Sequence, residues 1–225
     1  MLKLDSKDIK KKRTLKIFIE ETRKIINEEG IDNVTIRKVA KKTGYNSATI
    51  YNYFDNCNQL IFFASLDFLG EYSQAMPEYI SAAEDEVERF ILMWECFCKY
   101  SFENPQIYYS IFTEHIGDAS RTLMDNYFKI YPEKLETEDP SLVNMLRSPD
   151  LSERASFASR PLIENNLLKQ SQAEDMDNMI TYIYHGLLTL MINERTTHTS
   201  ESALKTISKH IRTIVNNAVC CSREE

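Results

Sequence analysis

Two glycines, Gly30 and Gly44, divide the first sixty residues into runs whose apolar side chains recur at three- and four-residue steps. Residues 7–29 hold neither glycine nor proline, and Leu15, Phe18, Ile19, Thr22, Ile25 and Ile26 fall on one face at helical spacing. Gly30 then follows the last turn as a residue able to take the left-handed C-cap conformation. Thr35 can cap a short helix over 36–43 with Ile36, Val39 and Ala40 inward, and Gly44 ends it. Asn46 and Ser47 can cap a further short helix over 48–53. Asp55 and Asn56 open a fourth, long helix carrying Leu60, Ile61, Phe63, Ala64, Leu66 and Phe68. Two short helices split by a glycine turn and flanked by long ones predict a helix-turn-helix.

The rest of the chain is also expected to be helical. Five glycines and six prolines in 225 residues are too few turn formers for a sandwich or barrel with many hairpins. No apolar run reaches the ~18 to 20 residues needed to cross a bilayer, and the N-terminus lacks the apolar stretch of a signal peptide, so a cytoplasmic protein with no membrane partner is expected. Cys57, Cys96, Cys98, Cys220 and Cys221 form no CxxC pair and are odd in number, which argues for reduced thiols and against a metal site. Cys96 and Cys98 point to different faces of a helix, and no cofactor is expected.

The formal charge of −7 is unevenly spread. Residues 1–60 carry thirteen basic and eight acidic side chains, a net +5, and residues 61–225 carry −12. A basic head on an acidic body is the pattern in which one segment meets a polyanion while the other keeps the chain soluble.

The stretch from Gly30 to Leu60, GIDNVTIRKVAKKTGYNSATIYNYFDNCNQL, resembles the DNA-binding domain of the TetR (tetracycline repressor) family. The agreement lies in Gly30, Thr35-Ile36-Arg37, Val39-Ala40, Gly44, Thr49, Tyr51, Tyr53-Phe54 and Leu60, all at the family's spacing. The resemblance implies an all-α protein: a three-helix DNA-binding domain over residues 1–60, and a helical ligand-binding and dimerisation domain over 61–225. It also implies a non-enzymatic regulator of transcription, most simply a repressor that a small-molecule effector releases from a two-fold symmetric double-stranded DNA operator. Where the family usually places a lysine at the start of the fourth helix, this chain has Cys57, one phosphate contact fewer for each half-site.

By that resemblance the third helix lies in the major groove. Thr49, Tyr51 and Tyr53 would hold phosphates, and Arg37, Ser47, Ala48 and Asn52 would carry sequence choice, with Thr35 and Asn46 completing the DNA-facing set. Arg37 suits a guanine and Asn52 an adenine. Two tyrosines two apart cannot both face inward, and Tyr51 is the better phosphate ligand.

In the body, helices are expected over 84–102, 105–116, 118–130 and 151–169, the last interrupted near Pro161, with a loop over 131–150 that holds three prolines and several acids. Two long helices end the chain. Met179, Ile183, Gly186, Leu187 and Leu190 on one, and Leu204, Ile207, Ile211 and Ile214 on the other, form apolar stripes fit for pairing two subunits. Gly186 costs such a helix about 1 kcal/mol unless something packs close to it. The resemblance assigns the last two helices of each subunit to a four-helix interface in a homodimer, and the middle helices to the effector pocket. Trp94, Phe97, Tyr108, Phe112, His115, Tyr127 and Tyr184 are its candidate lining. No P-loop, GxSxG, HExxH or dinucleotide fingerprint occurs, and the histidines at 115, 185, 198 and 210 are scattered, which leaves an enzyme the weakest reading. A helical dimeric adaptor that no longer uses its helix-turn-helix for DNA is the alternative, supported by Cys57 alone.

Overall fold

The structure, a computed structural model, describes residues 9–113, 120–135 and 140–222. Among these, all the longer regular elements are α-helices: α1 (Ile9–Glu29), α2 (Ile36–Thr43), α3 (Ser47–Tyr51), α4 (Cys57–Ser65), α5 (Phe68–Ser81), α6 (Glu86–Glu103), α7 (Pro105–Phe112), α8 (Ser120–Ile130), α9 (Pro140–Arg147), α10 (Leu151–Glu164), α11 (Gln170–Ile192) and α12 (Ser200–Ser222). Short 3-10 turns fall at Ile31–Asn33 and Pro132–Leu135. No helix among the described residues is long and apolar enough to cross a membrane.

The chain divides into two compact units, residues 1–70 with 106–136, and residues 71–105 with 137–225. A cut after residue 60 does not describe this division, which falls within α5. The reason is packing in the first unit. α1 buries Leu15, Phe18, Ile19 and Ile25 against α2 and α4, and the Phe54 ring meets Phe63 edge-on at 5.8 Å. Phe63 in turn meets Tyr127 of α8 at 5.7 Å, which brings a helix from far along the chain into the same core. Each such aromatic removed from water contributes about 1.5–3 kcal/mol, enough to hold α8 there.

The fourth helix is not continuous to Phe68, as its apolar pattern predicts. α4 stops at Ser65, and Asp67, Leu69 and Gly70 donate their amides to carbonyls only three residues back, the tight turn that precedes α5. Asp67 uses this turn to collect three partners. Its carboxylate pairs with Arg23 of α1, accepts a hydrogen bond from Tyr127 at 3.0 Å and lies 3.3 Å from Lys134. A Cβ on Gly70 would meet the Lys134 side chain at 3.1 Å, so the glycine keeps the path of that lysine open.

In the second unit α6 packs on α12, and α11 on both α10 and α12. Arg212 of α12 forms a bidentate pair with Glu88 at 2.9 and 3.0 Å and donates from Nε to Glu95 at 3.1 Å. A forked guanidinium held by two carboxylates fixes the register of α12 on α6 as well as supplying attraction.

Two further expectations need correction. Residues 131–150 are not a loop throughout, because Pro132 opens a 3-10 turn and Pro140 opens α9, whose Leu142, Met145 and Leu146 are buried. Proline at a first helical position forfeits an amide that has no partner there anyway, so it starts helices as readily as it breaks them. α10 also runs through Pro161 without interruption. The ring removes one helical bond there, and burial of Ala155, Ala158, Ser159 and Leu162 on the inner face of α10 outweighs that loss.

Candidate DNA-reading surface and body cavity

The local sequence sets α2 and α3 with three caps. The Thr35 side chain accepts from the Lys38 amide at 3.1 Å, Asn46 from the Thr49 amide at 2.8 Å, and Asn56 from the Gln59 amide at 2.9 Å. Each cap satisfies a donor that the helix start would otherwise strand, worth about 1 kcal/mol. Between them Gly44 takes φ 74°, the left-handed turn that lets α3 leave α2 at an angle.

This arrangement exposes Arg37, Ala48, Tyr51 and Asn52, with Ser47 and Thr49 half-buried beside them. Tyr51 is 55% exposed, whereas Tyr53 is half-buried with its ring edge-on to Phe18 at 5.8 Å. Thr35 and Asn46 are exposed, but their oxygens are committed to capping, and the Asn46 oxygen also accepts from the Thr49 hydroxyl at 2.9 Å. Tyr45, absent from the sequence-derived set, is 37% exposed in the α2–α3 turn and leans on Phe18 at 5.1 Å. Its signal in the sequence is its place directly after the turn glycine.

Part of the basic charge of the head is spent within it. Lys38 pairs with Glu29 at 2.8 Å, and Lys42 lies 3.6 Å from both Glu28 and Glu29 of α1. Arg37 and Lys41 stand exposed on the other side of α2. Cys57, the first residue of α4, turns its thiol inward to donate to the Val34 carbonyl at 3.7 Å. Burial pushes that thiol above its usual pKa, so it stays protonated and supplies no anion to repel a phosphate.

The second unit contains a small cavity of about 20 Å³, the room of one water molecule. Trp94 and Phe97 of α6 line it, with Tyr72 of α5 and Arg154 of α10. The other pocket candidates lie elsewhere. Tyr108 and Tyr127 are fully buried in the first unit, where the Tyr127 hydroxyl is committed to Asp67, and Phe112 packs on Tyr108 at 6.2 Å. Tyr184 sits behind the cavity wall, 5.1 Å from the Phe97 ring, its hydroxyl 2.7 Å from that of Ser101. His115 lies outside the described residues. Sequence spacing shows that an aromatic is on an inner helix face, but not which unit that face belongs to.

The proposed pairing stripes divide in the same way. On α11, Met179, Ile183, Gly186 and Leu190 are exposed and Leu187 is half-buried, with Tyr182 beside them at 70%. A Cβ at Gly186 would meet no atom of the described residues within 4 Å, so no contact among them accounts for that glycine. On α12, Ile207 and Ile211 are fully buried and belong to the core of the unit, not to an outer face; Leu204 and Ile214 are half-buried. No group of three or more potential metal ligands occurs among the described residues.

A capped helix-turn-helix with an exposed polar third helix, carried by described residues whose other long elements are all helices, defines a helix-turn-helix fold. Residues 18–62 match the family of bacterial regulatory proteins, tetR family. Solved structures extend the likeness of fold to nearly the whole chain. A putative TetR-family transcriptional regulator from Syntrophomonas wolfei is 18% identical over 92% of this chain and 96% of its own, with a TM-score of 0.57. RolR in complex with resorcinol is 14% identical over 96% and 94%, with a TM-score of 0.60. FadR of Thermus thermophilus, a TetR-family repressor in complex with lauroyl-CoA, is 12% identical over 90% and 93%, with a TM-score of 0.59. At these identities the likeness establishes the fold. No curated protein matches the chain.

Proposed function

We propose that this protein is a DNA-binding transcriptional regulator, acting in the cytoplasm as a homodimeric repressor that a small-molecule effector releases from its operator. The observation that carries the reading is the exposed polar surface of α2 and α3, with Arg37, Ala48, Tyr51 and Asn52 outward on a segment that matches the tetR family. Groups of this kind suit a major groove: a guanidinium for guanine, a carboxamide for adenine, a methyl-sized side chain for close approach and a phenol for phosphate. The outward apolar stripe of α11, with a glycine that no other described residue approaches, supports pairing with a second copy, and two copies present two recognition helices to a two-fold site. Ligands in two proteins of the same fold, resorcinol in RolR and lauroyl-CoA in FadR, support control by a small organic molecule.

The test begins by selecting bound fragments from genomic DNA with the purified protein. Against the recovered site, Arg37→Ala and Asn52→Ala are expected to lose about 1–3 kcal/mol of sequence discrimination per base contact, whereas Tyr51→Phe weakens selected and random DNA alike. A protein that recovers no preferred fragment would instead fit the adaptor reading, in which the helix-turn-helix no longer serves DNA.

A further inference from the structure

The basic side chains of α2 stand in two neighbouring rows with opposite fates. Lys38 and Lys42, one turn apart, meet the acids of α1: Lys38 pairs with Glu29 at 2.8 Å, and Lys42 lies 4.0 Å from Glu21 and 3.6 Å from both Glu28 and Glu29. Arg37 and Lys41, also one turn apart, are exposed and pair with no carboxylate among the described residues. Four residues beyond Lys41, past the helix end, comes Tyr45. Gly44 turns the chain there, the Tyr45 amide donates back to the Ala40 carbonyl at 3.1 Å, and the Tyr45 ring rests edge-on to Phe18 at 5.1 Å. Phe18 holds Tyr53 in the same way at 5.8 Å, so one core ring roots two phenols, one from the α2–α3 turn and one from just past α3. Packing explains the Tyr45 ring but not its hydroxyl. A phenylalanine would meet Phe18 equally well, and the hydroxyl bonds to nothing among the described residues.

We propose that Lys41 and Tyr45 bind a backbone phosphate of duplex DNA at the edge of the groove that α3 enters. This deepens the DNA-binding reading above and rests on it; neither residue belongs to the set assigned there. In a helix-turn-helix the first helix crosses the backbone while the start of the second reaches the base edges. The end of α2 and the turn into α3 then lie beside the strand that borders the groove. An unpaired ammonium at that place supplies attraction, and a phenol supplies a directed hydrogen bond to a phosphate oxygen. Contact with Phe18 restricts the Tyr45 ring before DNA arrives, so little side-chain freedom is lost on binding. Lys38 and Lys42 do not share the role, because carboxylates of α1 already occupy them and they bring few counterions to exchange. The two rows of α2 thus divide the work: one docks the helix on α1, the other meets the polyanion.

A phosphate contact is independent of sequence, so it is read on a random-sequence duplex as well as on the selected fragment, by anisotropy of labelled DNA with the full-length protein over a range of salt. Lys41→Gln is expected to flatten the slope of log affinity against log salt by about one unit per half-site, and Lys38→Gln to leave it unchanged. Tyr45→Phe keeps the ring on Phe18 and is expected to weaken binding about tenfold on both duplexes with the slope unmoved, since a hydroxyl displaces no cation. The two lysines are replaced at the helix surface by another good helix former, and the tyrosine keeps its packed ring, so all three variants fold. Tyr45→Phe binding as tightly as the parent, a slope that Lys41→Gln leaves alone, or a slope that Lys38→Gln flattens equally overturns the proposal. These signatures on random duplex without any preferred genomic fragment would overturn the regulator reading and leave the phosphate contact standing; a preferred fragment bound without them does the reverse, and no binding to either duplex overturns both.

Discussion

Each unit draws an aspartate away from water, Asp67 half-buried in the first and Asp177 buried in the second, and the two are driven in opposite directions. For both Asp67 in the first unit and Asp177 in the second, burial is the largest influence, and by itself it raises a carboxyl pKa. At Asp67 the hydrogen bond from Arg23 and the charge of Lys134 outweigh it and hold the group below the usual carboxylate range. At Asp177 the carboxylate accepts a 2.6 Å hydrogen bond from the Ser159 hydroxyl, Glu174 adds a like charge, and the group is pushed up to about 7. Among the described residues, its other oxygen and the hydroxyl of Thr181, one turn on, have no hydrogen-bond partner. The lesson is that burial alone does not decide charge; the presence of a cation beside the carboxylate does.

The largest expected effect follows from Asp177. Between about pH 4 and pH 7 the folded chain retains a proton that the unfolded chain has released, so the stability of the second unit declines as pH rises through that window. Asp177→Asn keeps the shape of the protonated acid and removes the charge. It is expected to stabilise that unit on the order of 2–4 kcal/mol at pH 8 and to change nothing at pH 4. Urea unfolding followed through Trp94, which lies in the same unit, measures this. A variant no more stable than the parent at pH 8 would remove Asp177 from the comparison.

Asp67 is expected to act with the opposite sign and a smaller size. A carboxylate whose folded pKa is depressed contributes stability that is present above its unfolded value near 4 and is lost as pH falls through the folded value. Asp67→Asn leaves Arg23 and Lys134 facing a neutral amide, at a cost of about 1–3 kcal/mol at pH 7 that shrinks as pH falls through the depressed folded value. Hydrogen exchange of α1 and α4 amides reads the first unit without relying on Trp94. Should the cost persist undiminished at low pH, the Asp67 contacts would act by shape and not by charge.

The same contrast explains what was legible in the sequence. Caps and turns depend on near neighbours, and Thr35, Gly44, Asn46 and Asn56 stand at helix ends where their residue types place them. The exposed set on α3 follows from the same local logic. Packing between distant elements is not local. Tyr127 reads as a pocket aromatic until Phe63 and Asp67 claim it, and the loop expected over 131–150 hides α9 because Pro132 and Pro140 start elements that prolines elsewhere would end. α11 carries two apolar stripes, an inner one through Met176, Ile180, Tyr184 and Leu188 and an outer one through Met179, Ile183 and Leu190. Spacing merges them, and only the fold separates them. Arg154 and Asp177 left no trace at all, since a charged residue on a helix reads as solvated until its neighbours are known.

The smallest expected effect concerns a cation that the first unit lacks. If charge there is governed by pairing, a new lysine on the DNA-reading side is useful only where no acid is near enough to neutralise it. Lys38 and Lys42 fail that condition because Glu28 and Glu29 hold them. Position 57 differs: its side chain starts α4 half-buried, beside the Val34 carbonyl, and a lysine stem can follow that surface outward and bring its ammonium to the rim. Cys57→Lys is therefore expected to tighten binding to the selected fragment at low salt, and to steepen the slope of log affinity against log salt by about one unit per half-site. The slope is the sharper readout, because repacking around the lost thiol shifts affinity at every salt concentration without changing the number of ions released. A slope that does not move would place position 57 away from any phosphate and confine the contacts of the head to α2 and α3.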